Sequence, residues 1–300
     1  MLASLSLVLV NWNSKDDTLA CVSSLLSAGA VEKQIVVVDN GSNDGSVEAL
    51  HKQFGRRVTV LESGKNLGFT GGVNKGVAFA LEQGAEWIFI INNDTIVAPD
   101  FFAHFEPRLE DISPFKIFAP LIFYYDEPET VWFLGERLLP GTLFTSGLYK
   151  NQPVPAELPE IIPVDFVSGC GMLVWRKVFE DVGFFDTSLF MYGEEVDFCW
   201  RARLAGYQMA AVPGAKMWHK VSASANRDRP NTRYLRVRNQ IRFYRKYSGG
   251  LQRICMFGLV LIRMVWIGTQ DVFKQQFDLL RPLAQGWWDG WWRHSLDGDS

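Results

Sequence analysis

Residues 34–46 read QIVVVDNGSNDGS. The run Ile35–Val38 is apolar and β-branched with no polar alternation, which is the pattern of a strand buried on both faces. It ends on Asp39 and passes through Asn, Gly and Ser, residues favoured in tight turns, into a helix expected around Val47–Phe54. The same unit recurs on either side. Leu5–Val10 reads as a strand followed by a helix over Asp16–Ser27, and Val58–Glu62 as a strand before a helix over Gly72–Gln83. Trp87–Ile91 is a further strand, ending in Asn92-Asn93-Asp94. This alternation predicts an α/β protein with a mostly parallel sheet flanked by helices. Ligands of such sheets sit outside the carboxyl ends of the strands, where Asn11, Asp39 and Asn92–Asp94 fall.

After Pro99 the rhythm changes. Residues 115–175 read as strands and loops, with prolines at 140, 153, 155, 159 and 163 and a surface loop expected over Asn151–Pro163. Asp165–Val174 returns to buried strand character, with glycines where a backbone or ligand can approach closely. The chain of 300 residues is 48% hydrophobic, enough for a sizeable core. Cys21, Cys170, Cys199 and Cys255 lie far apart without a CxxC pair, which argues for free thiols in a reducing compartment and against a zinc site. The apolar start MLASLSLVLV lacks the basic region and cleavage site of a signal peptide and is expected to be a buried strand, so a cytoplasmic location is expected.

Four glycines and two asparagines in Lys65–Gly76 (KNLGFTGGVNKG) open a helix. Backbone N–H groups there suit phosphate, with Lys65 or Lys75 to help; a flexible connection is the plainer alternative. There is no GxGxxG after the first strand and no GxxxxGK[ST], which removes two dinucleotide and nucleotide motifs. Ile88–Asp94 (IFIINND) delivers Asn92 and Asp94 two residues apart, an oxygen pair suited to Mg²⁺ or Mn²⁺. His219 could add a nitrogen ligand. Met191–Ala205 (MYGEEVDFCWRARLA) crowds three carboxylates, Glu194, Glu195 and Asp197, into the first turn of a short helix stopped by Gly206. That is either a solvated acidic start or a presented catalytic carboxylate.

VNWNS, VVVDNGSNDGS, NLGFTGGVNKG, IINND, SGCGMLVWRKVFEDVGFFD and MYGEEVDFCWRARLAGY occur in the order seen in family 2 inverting glycosyltransferases. The chain resembles the bacterial rhamnosyltransferase branch over roughly residues 4–225. The resemblance implies a GT-A fold, Rossmann-like, with a nucleotide-sugar donor (a dTDP- or UDP-sugar), a Mg²⁺ or Mn²⁺ cofactor and a lipid-linked or growing polysaccharide acceptor. It implies that Asp39 binds the nucleobase, that Asn92 and Asp94 stand at the metal-binding DxD position, and that His219 joins the metal. It makes Glu195 the general base of a single in-line displacement, with Glu194 as the alternative. Candidate donor contacts are Asn11, Asp39, Asn66, Gly71, Gly72, Asn74, Asn92 and Asn93. Candidate acceptor contacts are Gly169, Cys170, Asp197 and Arg201. Two positions depart from the family pattern: the first DxD ligand is neutral, and the usual Glu-Asp pair is Glu194-Glu195, whose second carboxylate carries one extra methylene.

Two other classes compete. A sugar-phosphate nucleotidyltransferase usually opens with a glycine-rich, arginine-containing loop, and Asn11–Ser14 does not provide one. A non-catalytic glycan- or RNA-binding protein would use the basic segment Lys216–Arg253, which holds eleven Lys or Arg against Asp228; it would leave the acidic trio and NND unexplained, so nucleic acid is not an expected partner. A domain boundary is expected near 225, with a glycosyltransferase domain over 1–225 and a helical extension over 226–300. In the extension Tyr234, Val237, Ile241 and Tyr244 repeat at helical spacing, with Arg238, Arg242 and Arg245 expected on another side, suited to anionic lipid headgroups or an acceptor diphosphate. Ile254–Gly268 is apolar but interrupted by Arg263, and is expected to lie in a membrane interface. Trp287, Trp288, Trp291 and Trp292 fit an interfacial belt. These features predict attachment to the inner face of the cell membrane. Packing on the core or at a homodimer interface is the alternative.

Overall fold

The computed structural model describes residues 4–106, 114–221 and 229–293. The elements run β1 (Leu5–Asn11), α1 (Lys15–Ser27), β2 (Ile35–Asp39), α2 (Ser46–Phe54), β3 (Thr59–Glu62), α3 (Gly68–Glu82), β4 (Trp87–Asn92), β5 (Thr95–Val97), α4 (Phe101–Phe105) and β6 (Phe115–Tyr124). They continue with β7 (Val131–Phe133), β8 (Glu136–Leu138), β9 (Thr145–Gly147), β10 (Ile162–Val164), β11 (Gly171–Trp175), α5 (Arg176–Val182), α6 (Glu194–Leu204) and β12 (Gln208–His219). Three long helices close the chain: α7 (Arg229–Tyr247), α8 (Gly250–Phe273) and α9 (Leu280–Trp292). Two compact units result, one from Met1–Arg137, Gly147–Phe190 and Glu195–Val221, the other from Leu138–Ser146, Met191–Glu194 and Ser222–Ser300. The boundary expected near 225 lies outside the described residues.

The first unit is built on a sheet of order β10-β12-β6-β11-β4-β1-β2-β3, with β5 on β12 and β7 on β6. It is parallel across β4, β1, β2 and β3, as the alternation of strands and helices predicts; β11 then enters antiparallel to both β4 and β6. Leu7, Val8, Leu9, Ile35, Val37 and Val38 are fully buried, which is why their runs carry no polar alternation. The register pairs Asn11 with Asp39 and Val10 with Asn92, so the polar strand ends line up at one edge of the sheet.

Three local expectations differ. α3 begins at Gly68, four residues before the expected start at Gly72, and absorbs the glycine-rich stretch. The strand expected over Asp165–Val174 is only Gly171–Trp175, because Asp165–Cys170 is a loop. β12 runs twelve residues through Pro213 and Gly214, its register against β6 shifting between Val212 and Lys216. A bulge of this kind admits a proline into a ladder.

In the second unit α9 packs on α7 through two glycines one turn apart. A Cβ on Gly286 would lie 2.8 Å from the Tyr234 carbonyl oxygen, and one on Gly290 2.7 Å from Ile241 Cβ. The basic face expected on α7 is not free: Arg238 is buried against Tyr234 and donates to Asn239, and Arg245 donates to the Trp291 carbonyl. These guanidiniums brace helices, so they do not form a lipid-facing stripe. The tryptophans divide as well. Trp287 and Trp291 pack on Phe257, while Trp288 and Trp292 are exposed. α8 turns Met256, Val260 and Met264 inward and exposes Leu251, Ile254, Ile262, Val265, Trp266 and Phe273. Among the described residues it is the one helix long and apolar enough to cross a membrane, by length and composition.

Candidate functional site

Asn11 ends β1 with no exposure, and its amide ties the strand ends together. Nδ2 donates to Asp39 Oδ1 at 2.9 Å and to Ser42 Oγ at 3.1 Å, while Oδ1 accepts from Thr18 Oγ1 at 2.8 Å and from Asn93 Nδ2 at 3.3 Å. Asp39 Oδ2 accepts from the Ser42 amide at 2.9 Å. Asp39 is itself buried, and each of its oxygens has a second lone-pair direction left for a ligand. Asn11 and Asn93, expected to touch a donor, also brace the strand ends, their amides bonded to each other, Thr18 and Asp39.

The Lys65–Gly76 segment is likewise tied down by internal bonds and close packing. Asn66 Oδ1 accepts from Asn40 Nδ2 and from the Gly68 amide, closing the turn into α3. Asn40, buried after Asp39, also bonds the Gly68 carbonyl and the Leu67 amide. Gly72 and Gly76 let α3 lie on the sheet: added Cβ atoms would come within 2.7 Å of Val10 and 2.4 Å of Val8. Gly71 faces the Leu67 side chain at 2.7 Å. Asn74 makes a two-way bond with the backbone of Phe185. Lys75 donates to the Glu62 carbonyl, and the Lys65 backbone sits under Gly41, whose φ of +76° and 2.8 Å clearance leave no room for a side chain. These contacts serve packing and loop closure. Asn40 and Ser42, just after β2, and Thr18, inside α1, were missed, having no distinguishing signal in the sequence.

β4 and β5 are joined by a turn that carries Asn93 and Asp94 to the end of β12. Asp94 Oδ1 lies 3.1 Å from His219 Nε2, without the direction of a hydrogen bond. Asp94 Oδ1 and His219 Nδ1 are buried atoms with no hydrogen-bond partner. Trp132 holds the imidazole edge-on, ring centroids 4.5 Å apart at 79°. The amide of Lys220 donates to the Asp94 carbonyl at 2.9 Å, locking His219 beside the turn. A carboxylate oxygen without a hydrogen-bond partner, 3.1 Å from an imidazole nitrogen, suits Mn²⁺ or Mg²⁺, whose remaining positions diphosphate oxygens and water can fill. Among the described residues no group of three or more His, Cys, Asp or Glu could hold a metal, so two protein ligands are the most this site offers besides the half-buried Asn92.

The loop before β11 joins this turn to the acidic helix. The Cys170 carbonyl accepts from the Asn92 amide at 3.0 Å, and a Cβ on Gly169 would lie 3.4 Å from Phe69 Cε1 and 3.8 Å from Glu195 Cβ. Cys170 was expected to face an acceptor. Its thiol is instead buried, and burial, then the nearby Asp94 charge, push its pKa well up. Glu195 is half-buried at the start of α6, whereas Glu194 is buried and belongs to the second unit. Asp197 and Arg201, expected as acceptor contacts, form an ion pair within α6. Asp197 Oδ2 accepts from Arg201 Nε at 2.8 Å, and the guanidinium donates onward to the carbonyls of Val182 and Phe184. Among the described residues the first unit thus sets Asp39, Asp94, His219, Gly169 and Glu195 along the carboxyl edge of its strands.

The family model described as "Glycosyl transferase family 2" matches residues 6–183, more than half of the chain. The chain belongs to glycosyl transferase family 2. It is therefore a glycosyltransferase, of the rhamnosyltransferase-like branch, that takes its sugar from a nucleotide-sugar. A low-salt glycan biosynthesis hexosyltransferase, Agl10, of Haloferax volcanii is 26% identical over 291 residues, covering 95% of this chain and 90% of the relative. An N-acetylglucosaminyl-diphospho-decaprenol L-rhamnosyltransferase of Mycobacterium tuberculosis is 27% identical over 231 residues, covering 69% of this chain and 73% of the relative. The mannosyltransferase PcManGT of Pyrobaculum calidifontis, solved with GDP-Man and Mn²⁺, superposes with a TM-score of 0.59 over 96% of this chain and 87% of that one. At 11% identity that likeness speaks for the fold, which is the GT-A fold.

Proposed function

We propose that this enzyme is a metal-dependent inverting glycosyltransferase that moves a sugar from a dTDP- or UDP-sugar to a hydroxyl of a lipid-linked or growing polysaccharide acceptor. The observation that carries it is the approach of Asp94 Oδ1, which has no hydrogen-bond partner, to His219 Nε2 at 3.1 Å, at the strand edge that also holds Asp39 and Glu195. Asp94 and His219, with Asn92 beside them, would hold a divalent cation, which would supply positive charge to the leaving diphosphate. Asp39, oriented by Asn11 and Ser42, accepts from the nucleobase edge. Glu195 accepts the proton of the acceptor hydroxyl as its oxygen bonds to the anomeric carbon. The bond from that carbon to the diphosphate breaks in the same step, which inverts the centre and needs no second nucleophile. Phe69 and the small Gly169 leave the acceptor its approach to Glu195. L-Rhamnose is the proposed sugar, since the mycobacterial relative is named for its transfer.

The apolar face of α8, continued by exposed Phe277, Trp288 and Trp292, supports attachment at the inner face of the cell membrane, where a lipid-linked acceptor is found. The test of the reaction is a nucleotide-sugar panel with Mn²⁺, Mg²⁺ or EDTA, scoring nucleotide release, thermal shift and the anomeric configuration of the product. A dTDP- or UDP-sugar that shifts the melting point only with metal and gives inverted product is expected. Donor binding unaffected by EDTA, or retained configuration, would overturn the reading.

A further inference from the structure

Lys220 has no role in the reaction as described, yet it stands directly after His219, and its amide is bonded to the Asp94 carbonyl at 2.9 Å. Its ammonium points to α1: Nζ is 2.7 Å from Asp17 Oδ1 and 5.3 Å from the centre of the Tyr125 ring. Burial works against this charge, but the bond and attraction to Asp17, with smaller help from Tyr125 and Asp94, hold its pKa above the ordinary lysine value. The pair is partly open to water, with side chains 30% and 24% exposed. A partly solvated ion pair of this kind is weak and readily exchanged. Of the lysines that the sequence nominated for phosphate, Lys75 is engaged on the Glu62 carbonyl.

We propose that Lys220 is a diphosphate-binding residue, parked on Asp17 until a nucleoside diphosphate at the Asp94–His219 site draws it away. The proposal rests on the donor-site reading above. Lysine suits the task, because its compact charge rides on a flexible four-carbon stem that can swing while the backbone stays fixed to Asp94. Diphosphate oxygens carry more charge than the single Asp17 carboxylate and form stronger charge-assisted bonds. Asp17 keeps a partner after the exchange, since the Ser14 hydroxyl donates to its other oxygen at 3.1 Å. The ammonium would then share with the cation the charge that builds on the departing diphosphate.

The test is calorimetric binding of dTDP, UDP and the phosphate-free nucleosides to the full-length protein with Mn²⁺, for wild type, Lys220→Met, Lys220→Ala and Asp17→Asn. Lys220→Met keeps most of the stem's packing should the alanine variant not fold. Loss of the ammonium is expected to weaken diphosphate binding about tenfold or more. Nucleoside binding and Mn²⁺ binding alone should not weaken. Asp17→Asn is expected to bind diphosphates as tightly as wild type or more tightly, because it frees the ammonium. A purely structural bridge predicts instead that Lys220→Met and Asp17→Asn lower the melting point alike and leave affinity together. That pattern, or wild-type diphosphate affinity in Lys220→Met, overturns the assignment. Failure of wild type to bind any nucleoside diphosphate overturns the donor-site reading itself, and the Lys220 proposal with it.

Discussion

Replacing Asn11 by alanine removes the amide that holds three strand ends in register. Two of its four side-chain bonds are cheaply lost. Thr18 Oγ1 keeps the Ser14 carbonyl at 2.9 Å, and Asn93 Nδ2 keeps Thr18 Oγ1 at 2.8 Å. The loss falls on Asp39, whose Oδ1 gives up a 2.9 Å donor in a residue only 3% exposed. A hydrogen bond to a charged group contributes about 1.5–3 kcal/mol, and a buried charge left short of a partner costs more. Asn11→Ala should therefore lower unfolding stability by about 3 kcal/mol, read as a lower urea midpoint at unchanged m. Asp39→Asn removes the charge, so the double variant should lose less than the sum of the singles, with a coupling of about 1 kcal/mol or more. Nucleotide affinity should fall in both single variants. A loss below about 1 kcal/mol together with additive behaviour would refute the idea that Asn11 acts through Asp39.

Four further outcomes are expected. Maleimide should label Cys255 alone in the native protein, since Cys21, Cys170 and Cys199 are buried, and mass spectrometry should find four adducts after unfolding. Burial raises the Cys21 and Cys199 pKa values to about 12, above the ordinary 9.0, so the unfolded thiols release protons first. Their contribution to stability is full below pH 9.0 and is lost as pH rises toward 12, a decline that a urea series across that window should show. Arg201→Ala should cost about 3–5 kcal/mol by stranding the buried Asp197 charge, while the acceptor KM stays unchanged; an acceptor defect without destabilisation would restore Arg201 to the acceptor site. The full-length protein should co-sediment with anionic vesicles. Serine at Ile262, Trp266, Trp288 and Trp292 should release it, and equal soluble fractions would sink the membrane reading.

The parallel half of the sheet was legible because β1, β2 and β4 are buried on both faces and write that burial as unbroken apolar runs ending in Asn11, Asp39 and Asn92. β12 was not legible: Pro213 and Gly214 look like a break, and only the register shift against β6 lets the strand continue past them to His219. The glycines of Lys65–Gly76 pointed to a phosphate loop, but a glycine chosen for helix–strand clearance is written with the same letter, and only Val8 and Val10 tell the two apart. The arginines of α7 show the converse. Sequence reveals their charge and spacing, yet whether Arg238 faces lipid or Tyr234 is set by α9, some fifty residues later in the chain. The Asp94–His219 approach links residues 125 positions apart.

The most direct test is single-turnover transfer by Glu195→Gln, measured beside donor affinity and beside Glu194→Gln. Removing the base should lower the rate about a hundredfold or more while the metal-dependent affinity for the nucleotide-sugar stays at the wild-type value. Glu194→Gln, altering a buried carboxylate at the helix start, should keep the chemistry. Near-wild-type turnover by Glu195→Gln would contradict the account, and a dead Glu194→Gln with intact fold would transfer the proton to the other glutamate.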